Sequence, residues 1–307
     1  METFKLKTHD GKQLYCRYEE AENARALLLI VHGMSESGKR YSDFMEYLAA
    51  RGVSSFCPDL RAHGNTAESV ERVGLSEYGE DAFEDSAGDI AFLAAHLKNS
   101  FPSLPLFILG HSYGSFLLQS FLSKGGGTEG IILSGTSYFD TALNRAGGLI
   151  AGIGKRFRGG DAPAKLIRKM SFGAYAKQFK DASWLSRDPE VMQAYAADPF
   201  NCRTFSYAFY RSFFRGGLSM YGKARQATLY KAAPVLIIGG THDPVGQRGN
   251  GPKRLAEYYR NAGLGSVELK LYEAGRHEML NETNREEVFS DIAEFINAKI
   301  AKQRGNS

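Results

Sequence analysis

Leu106-Phe107-Ile108-Leu109-Gly110-His111-Ser112-Tyr113-Gly114-Ser115-Phe116-Leu117-Leu118-Gln119-Ser120-Phe121-Leu122 passes from a short apolar run into a helix-patterned one through a turn flanked by two glycines. The first run reads as a buried strand and the second as a helix, so Ser112 sits where a strand turns sharply into a helix. This is the context of a nucleophile elbow. The reason is steric. A tight turn forces the serine into a strained conformation, and Gly110 and Gly114, two positions to either side, let strand and helix pass closely. The turn also presents the hydroxyl at the positive end of the helix. The competing reading is an ordinary glycine-rich β-to-α turn.

Outward from this turn the chain alternates strand and helix patterns. Phe4 to Thr8 and Gln13 to Tyr18 alternate around His9-Asp10-Gly11-Lys12, a hairpin signal. Ala26 to Val31 and Val53 to Cys57 are apolar runs separated by Tyr41, Phe44 and Leu48 at helical spacing, with Gly52 as a stop. A helix near Asp81 to Asn99 follows, then strands at Leu106 to Leu109, Ile131 to Leu133, Val235 to Ile238 and Val267 to Leu271. Such runs predict a mostly parallel eight-stranded sheet flanked by helices. Val288, Ile292, Phe295 or Ile296, and Ile300 form the stripe of a last helix, with Asn284 and Glu287 as its capping box. From 137 to 230 the periodicity is helical without a convincing strand, so residues 1–136 and 231–307 read as the core and 137–230 as a helical cap insertion.

The chain's 307 residues, 43% hydrophobic and 23% charged, describe an ordinary globular protein. Only the polar tail Lys302 to Ser307 reads as disordered. Met1-Glu2-Thr3-Phe4-Lys5 lacks the basic start and apolar stretch of an export signal, and Ala26 to Val31 is too short to cross a bilayer. Cys16, Cys57 and Cys202 are an odd number without metal-ligand spacing. These features predict a cytoplasmic protein with idle thiols. Charge is unevenly spread: residues 140–231 carry 16 Lys and Arg against 6 Asp and Glu, and the remainder 22 against 28. The same stretch holds 15 of the 37 aromatics.

A serine hydroxyl is a weak nucleophile at neutral pH and needs a base that is itself oriented by a carboxylate. With an elbow of this type the chain order is serine, acid, histidine. His277, after the last strand, is the expected base. Of the other histidines, His9 lies in the hairpin turn and His96 in an amphipathic helix, whereas His32, His63 and His111 read as site-shaping residues. Asp243, the acid of the turn Gly239-Gly240-Thr241-His242-Asp243-Pro244, is preferred as the orienting carboxylate, with Asp140 as its rival. An oxyanion needs two backbone N–H donors. One falls to Tyr113, after the serine. The other falls to Met34 in His32-Gly33-Met34-Ser35-Glu36, where Gly33 permits close backbone approach.

Taken together, these segments resemble the monoacylglycerol lipase and lysophospholipase branch of the α/β-hydrolases. The resemblance rests on His32-Gly33-Met34-Ser35-Glu36 with Arg40-Tyr41, Asp59-Leu60-Arg61-Ala62-His63-Gly64, Gly110-His111-Ser112-Tyr113-Gly114-Ser115, Asp243-Pro244-Val245-Gly246 and Arg276-His277-Glu278-Met279-Leu280-Asn281-Glu282. It implies an α/β-hydrolase fold, Ser112, Asp243 and His277 as a triad, Met34 and Tyr113 as oxyanion donors, and a helical cap over an acyl site. Two departures stand out. Ala62 occupies a position where the family usually has glycine, and the cap matches only around Trp184-Leu185-Ser186-Arg187-Asp188 and Ala197-Asp198-Pro199-Phe200.

The expected function is therefore a serine hydrolase cleaving lipid esters of the lysophospholipid or monoacylglycerol type. The basic, aromatic cap suits phosphate-bearing head groups or peripheral contact with an anionic membrane, against the reading of a solvated basic face. No nucleic-acid motif accompanies the basic residues. Gly152-Ile153-Gly154 lacks a dinucleotide fingerprint, Gly125-Gly126-Gly127 reads as a helix stop, and no metal cluster is visible, so no cofactor is expected. The alternatives are a proline-iminopeptidase-like aminopeptidase, which needs cap carboxylates to hold a substrate amine, and a non-catalytic binding module on the same fold. Epoxide hydrolysis, which normally uses an aspartate at the elbow, is disfavoured by Ser112.

Overall fold

A computed structural model describes residues 1–75, 81–179 and 183–305, with side chains as far as residue 302. Eight strands, β1 Glu2–Lys7, β2 Gln13–Glu19, β3 Ala26–Val31, β4 Val53–Pro58, β5 Leu106–His111, β6 Gly130–Ser134, β7 Val235–Gly240 and β8 Val267–Tyr272, form one sheet in the order β1-β2-β4-β3-β5-β6-β7-β8. β1 pairs with β2 and β2 with β4 antiparallel, and every later pairing is parallel. The hairpin turns at Gly11, whose φ of 89° suits glycine.

Every residue of β3, β4, β5, β6 and β7 is buried, because helices cover both faces of the sheet. Alternation along β3 divides its side chains between two cores. Leu27, Leu29 and Val31 join α2 (Ala82–Ser100), α3 (Tyr113–Ser123) and α10 (Asn250–Asn261) on one face. Ala26, Leu28 and Ile30 join α1 (Ser42–Ala49) and α11 (Arg285–Gly305) on the other. The α11 stripe buries Val288, Ile292, Phe295, Ile296 and Ile300.

The start of α11 differs from the expected capping box. Asn284 donates its side-chain amide to the Glu287 carboxylate at 2.9 Å, and its oxygen is taken by Arg187 Nη2 at 3.1 Å. That competition leaves the oxygen committed to Arg187 rather than to a helix N–H. The tail from Lys302 also departs from expectation, since α11 carries it in helix to Gly305. Ala62 has a φ of 56°, so alanine stands in the left-handed region where glycine is less strained. Its methyl group is fully buried, and the roughly 0.8 kcal/mol from burying one such carbon offsets part of the ~1–2 kcal/mol left-handed cost.

Between β6 and β7 the described chain forms helices α4 (Ala142–Arg158), α5 (Lys165–Met170), α6 (Phe172–Ala176), α7 (Pro189–Ala197), α8 (Tyr207–Ser219) and α9 (Lys223–Thr228). α8 anchors them. Its Phe209, Tyr210 and Phe213 join the core that contains α2 and α3, and Ser212 accepts the Phe83 N–H at 2.8 Å. The loops leaving β3, β5, β7 and β8 all emerge at one edge of the sheet, the C-terminal edge where open parallel sheets place their ligand sites.

The elbow depends on two glycines. A Cβ on Gly110 would lie 2.5 Å from the Gly114 carbonyl oxygen, and one on Gly114 would strike the Val31 carbonyl oxygen. These are backbone atoms, so neither clash relaxes by a rotamer change. Gly114→Ala is expected to lower unfolding stability by about 1–3 kcal/mol, seen as a lower urea midpoint at unchanged slope. An unaltered midpoint would show that the crossing of α3 and β3 is looser than described.

Candidate active site

Ser112 has φ 50° and ψ −115° and forms the N-cap of α3. A non-glycine residue held there costs on the order of 1–3 kcal/mol. Its surroundings enforce it: the Ser112 N–H donates to Ser134 O at 2.9 Å, and the Ser112 carbonyl accepts from Ser115 N at 2.9 Å and from Ser115 Oγ at 2.6 Å. The hydroxyl is thereby aimed away from the sheet.

His277 Nε2 lies 2.9 Å from Ser112 Oγ, and His277 Nδ1 lies 3.0 Å from Asp243 Oδ1. Since a carboxylate only accepts, Nδ1 carries the proton and donates to Asp243, leaving the Nε2 lone pair for the serine O–H. Asp243 is itself fixed by the Val245 N–H at 2.8 Å. Both His277 and Asp243 are buried. Burial alone would pull the imidazole pKa down, but the Asp243 charge and hydrogen bond outweigh it and the net shift is upward from 6.5. Asp140 is elsewhere, forked by Arg145 Nε and Nη2 at 2.8 Å each.

Gly33, Met34, Ser112 and Tyr113 line the same cavity. A Cβ on Gly33 would come within 3.2 Å of Ser112 Cβ, so this loop passes directly beside the serine. Among the described residues neither the Met34 nor the Tyr113 N–H donates to a protein carbonyl.

The other buried histidines brace the site. His32 is held neutral, with Nδ1–H donating to Gly33 O at 2.7 Å and Nε2 accepting from the Leu60 N–H at 2.9 Å. Burial pulls its pKa below 6.5. His63 packs its ring on His32, Tyr113 and Phe205. His111 lies against His277 with ring centres 4.9 Å apart, and burial pushes its pKa down to about 3, so it stays uncharged beside His277.

Two arrangements here were present in the sequence only as unassigned motif residues. In the first, Arg40 joins the loop of Gly33 to the loop of His277, pairing with Glu36 at 2.6 Å and forking Glu278 at 2.7 and 2.5 Å. Glu36 also accepts the Gly33 N–H at 2.5 Å and the Tyr41 hydroxyl at 2.8 Å. Burial would raise Glu36, but Arg40 and the nearby histidines hold it at about 2. In the second, residues 183–188 are strapped to the His277 loop. Glu278 N–H donates to Leu185 O at 2.8 Å, Ser186 Oγ to Asn281 O at 2.7 Å, and Arg187 pairs with Glu282 at 2.9 Å. No simple spacing rule joins positions about 90 residues apart, although the charge complementarity of Arg40, Glu36 and Glu278 was a readable signal.

The cavity above Ser112 has a volume of about 330 Å³. Its walls are mostly aromatic and aliphatic, with Phe116, Phe139, Tyr210, Phe213 and Val245 beside the loops of Gly33, Ser112 and His277. Outside it, His9, Asp10 and Asp89 bring potential metal-ligating atoms within 4.8 Å of one another. Arg61 already occupies that cluster, bonding both carboxylates at 2.6–2.7 Å.

The sheet order, the strained serine and the loops converging on it define an α/β-hydrolase. The sequence profile of the family described as serine aminopeptidase, S33, matches residues 22–284, and the chain belongs to this family. It is 29% identical over 278 residues to the monoacylglycerol lipase of Mycolicibacterium smegmatis, covering 89% of this chain and 88% of that protein. It is 24% identical to the human monoglyceride lipase, covering 95% and 89%. Its fold superposes on a carboxyl esterase from Bacillus coagulans in complex with glycerol with a TM-score of 0.88 at 25% identity, over 97% of this chain and 98% of that one. On the monoglyceride lipase of Saccharomyces cerevisiae the TM-score is 0.74 at 22% identity, over 97% and 94%. These relatives put the chain in the monoacylglycerol-lipase-like branch.

The upward shift of His277 fixes a sign. The stability gained from its contact with Asp243 is fully present below the unfolded value near 6.5 and is lost as pH rises through the higher folded value. The His277 ring proton is expected to titrate above 6.5 by NMR, and Asp243→Asn to lower that midpoint. A midpoint at or below 6.5 in the native protein would contradict the described contact.

Proposed function

We propose that this chain is a serine hydrolase that cleaves carboxylic esters of lipid type, lysophospholipid or monoacylglycerol, through an acyl-enzyme. The observation that carries the reading is the hydrogen-bond chain Asp243–His277–Ser112 opening onto an apolar, aromatic cavity. As Ser112 Oγ attacks the ester carbonyl, His277 Nε2 takes its proton and Asp243 stabilises the imidazolium. The developing oxyanion falls to the Met34 and Tyr113 N–H groups. Collapse of the tetrahedral intermediate breaks the bond to the alcohol, which leaves with the proton from His277. Water, deprotonated by the same histidine, then releases the acid.

Lipase and esterase relatives support the ester reading, while the family description keeps an aminopeptidase in view. An aminopeptidase needs a free carboxylate facing the site to bind the substrate amine. Among the described residues, the carboxylates lining this cavity are Glu36 and Glu278, and both are taken up by Arg40 and its neighbours. Acyl esters of glycerol and lysophospholipids are therefore the expected substrates over aminoacyl amides. Ser112→Ala is expected to lower their turnover by at least about a thousandfold. Surviving ester turnover, or a preference of the native enzyme for the amides, would overturn the proposal.

The outward face of α4 and α5 supports contact with an anionic lipid surface. Leu149, Ile153, Phe157, Leu166 and Met170 are more than half exposed, and Lys155, Arg156, Arg158, Lys165 and Lys169 lie among them. Apolar groups that enter an interface beside cations that meet anionic head groups are the two components of peripheral binding. No helix among the described residues is long and apolar enough to cross a membrane. Leu149→Asp with Phe157→Asp is expected to abolish sedimentation with phosphatidylglycerol vesicles while leaving turnover of a short soluble ester unchanged. Equal sedimentation of native and variant protein would refute the contact.

A further inference from the structure

Trp184 is the only tryptophan of the chain, and it stands on the histidine. Its ring centre is 5.1 Å from that of His277 with the planes 33° apart. The imidazole is therefore in ring contact with both Trp184 and His111. Phe172 and Tyr175 of α6 back the indole at 5.4 and 5.3 Å. The main chain fixes the same pairing, since Trp184 O accepts the His277 N–H at 3.4 Å and Leu185 O accepts the next amide. The Arg276 side chain adds bonds to Ser183 O and Ser186 O. Trp184 thus comes from the helical insertion but is bonded to the loop of the base.

We propose that Trp184 is a positioning residue that holds the His277 ring and stabilises its charged form through the indole face. The inference rests on the reading of His277 as the base. When Ser112 gives up its proton, the imidazole becomes a cation in a site with little water, and indole is the aromatic face that attracts a cation most strongly within roughly 6 Å. The neutral imidazole of the resting enzyme gains less from the same contact. The interaction is therefore stronger as charge develops, which is the condition for accelerating the step rather than merely binding substrate.

Among the described residues, the other titratable groups acting on the ring are Asp243 after β7, Glu278 in its own loop, Glu36 after β3 and His111 at the end of β5. Asp243, Glu278 and Glu36 favour the cation, and none of them changes when Trp184 is replaced. A downward move of the His277 titration on replacing Trp184 accordingly reports the indole.

The test has two parts. In the native protein, indole emission is quenched by a protonated imidazole in contact with it, so emission is expected to fall with decreasing pH at the midpoint of the acid limb of kcat/KM. Flat emission through that midpoint would overturn the proposal. In variants, Trp184→Leu is expected to lower kcat about tenfold and to move the acid limb to lower pH, while Trp184→Phe restores most of both. If Trp184 only filled space, the leucine variant would admit water to the imidazolium and leave the limb in place or raise it, and either outcome refutes the role. In Ser112→Ala the emission titration is expected to persist. Its loss counts against Trp184, whereas surviving ester turnover in that protein counts against the serine reading.

Discussion

The left-handed backbone at Ser112 is the constraint on which the site depends. It is bonded on both sides, through the Ser112 N–H to β6 and through the Ser112 carbonyl to the first turn of α3. Gly114 lets α3 cross β3, and Gly110 lets β5 pass α3, at distances that no Cβ permits. Strain on the order of 1–3 kcal/mol is thereby held by the buried strands β3 to β7. Without the sheet, the serine would relax to an ordinary turn and its hydroxyl would leave the reach of His277.

The other components meet the serine because parallel strands end together. The loops after β3, β5, β7 and β8 supply the Met34 amide, Ser112, Asp243 and His277 in that order. Loops are poor at holding side chains to a fraction of an ångström, and this protein cross-links them. Arg40 ties the Gly33 loop to the histidine loop through two buried carboxylates, and residues 183–188 bind the histidine loop from above. Exposed pairs of this kind contribute little, but a buried arginine forking a carboxylate is costly to break from one side. The insertion therefore has a fixed part at Trp184 and an outward part at α4 and α5, where apolar side chains remain in solvent.

Much of this was legible in the sequence for physical reasons. Strands buried on both faces must be apolar throughout, which marks β3, β5 and β7, and a serine between two close-packing glycines has few other uses. The chain order of serine, acid and base then follows the sheet. The six helices among the described residues of the insertion were less readable, because basic and aromatic residues there serve core, cavity and surface at once: Phe213 packs on α2 and α3, while Phe157 is exposed. Long-range partners were the least legible. Trp184 lies 93 positions before His277 and Arg40 lies 238 before Glu278, and nothing in local periodicity connects them. Ala62 also shows how context overrides preference, since a buried methyl offsets part of the strain that glycine would avoid.

The central claim is that Ser112 is the activated nucleophile of a hydrolase. Reaction of the folded protein with a fluorophosphonate, followed by mass spectrometry of its peptides, tests this most directly. One label per chain is expected, on Ser112, with its loss in His277→Ala. Folded protein that takes no label, or takes it on another serine, would contradict the account.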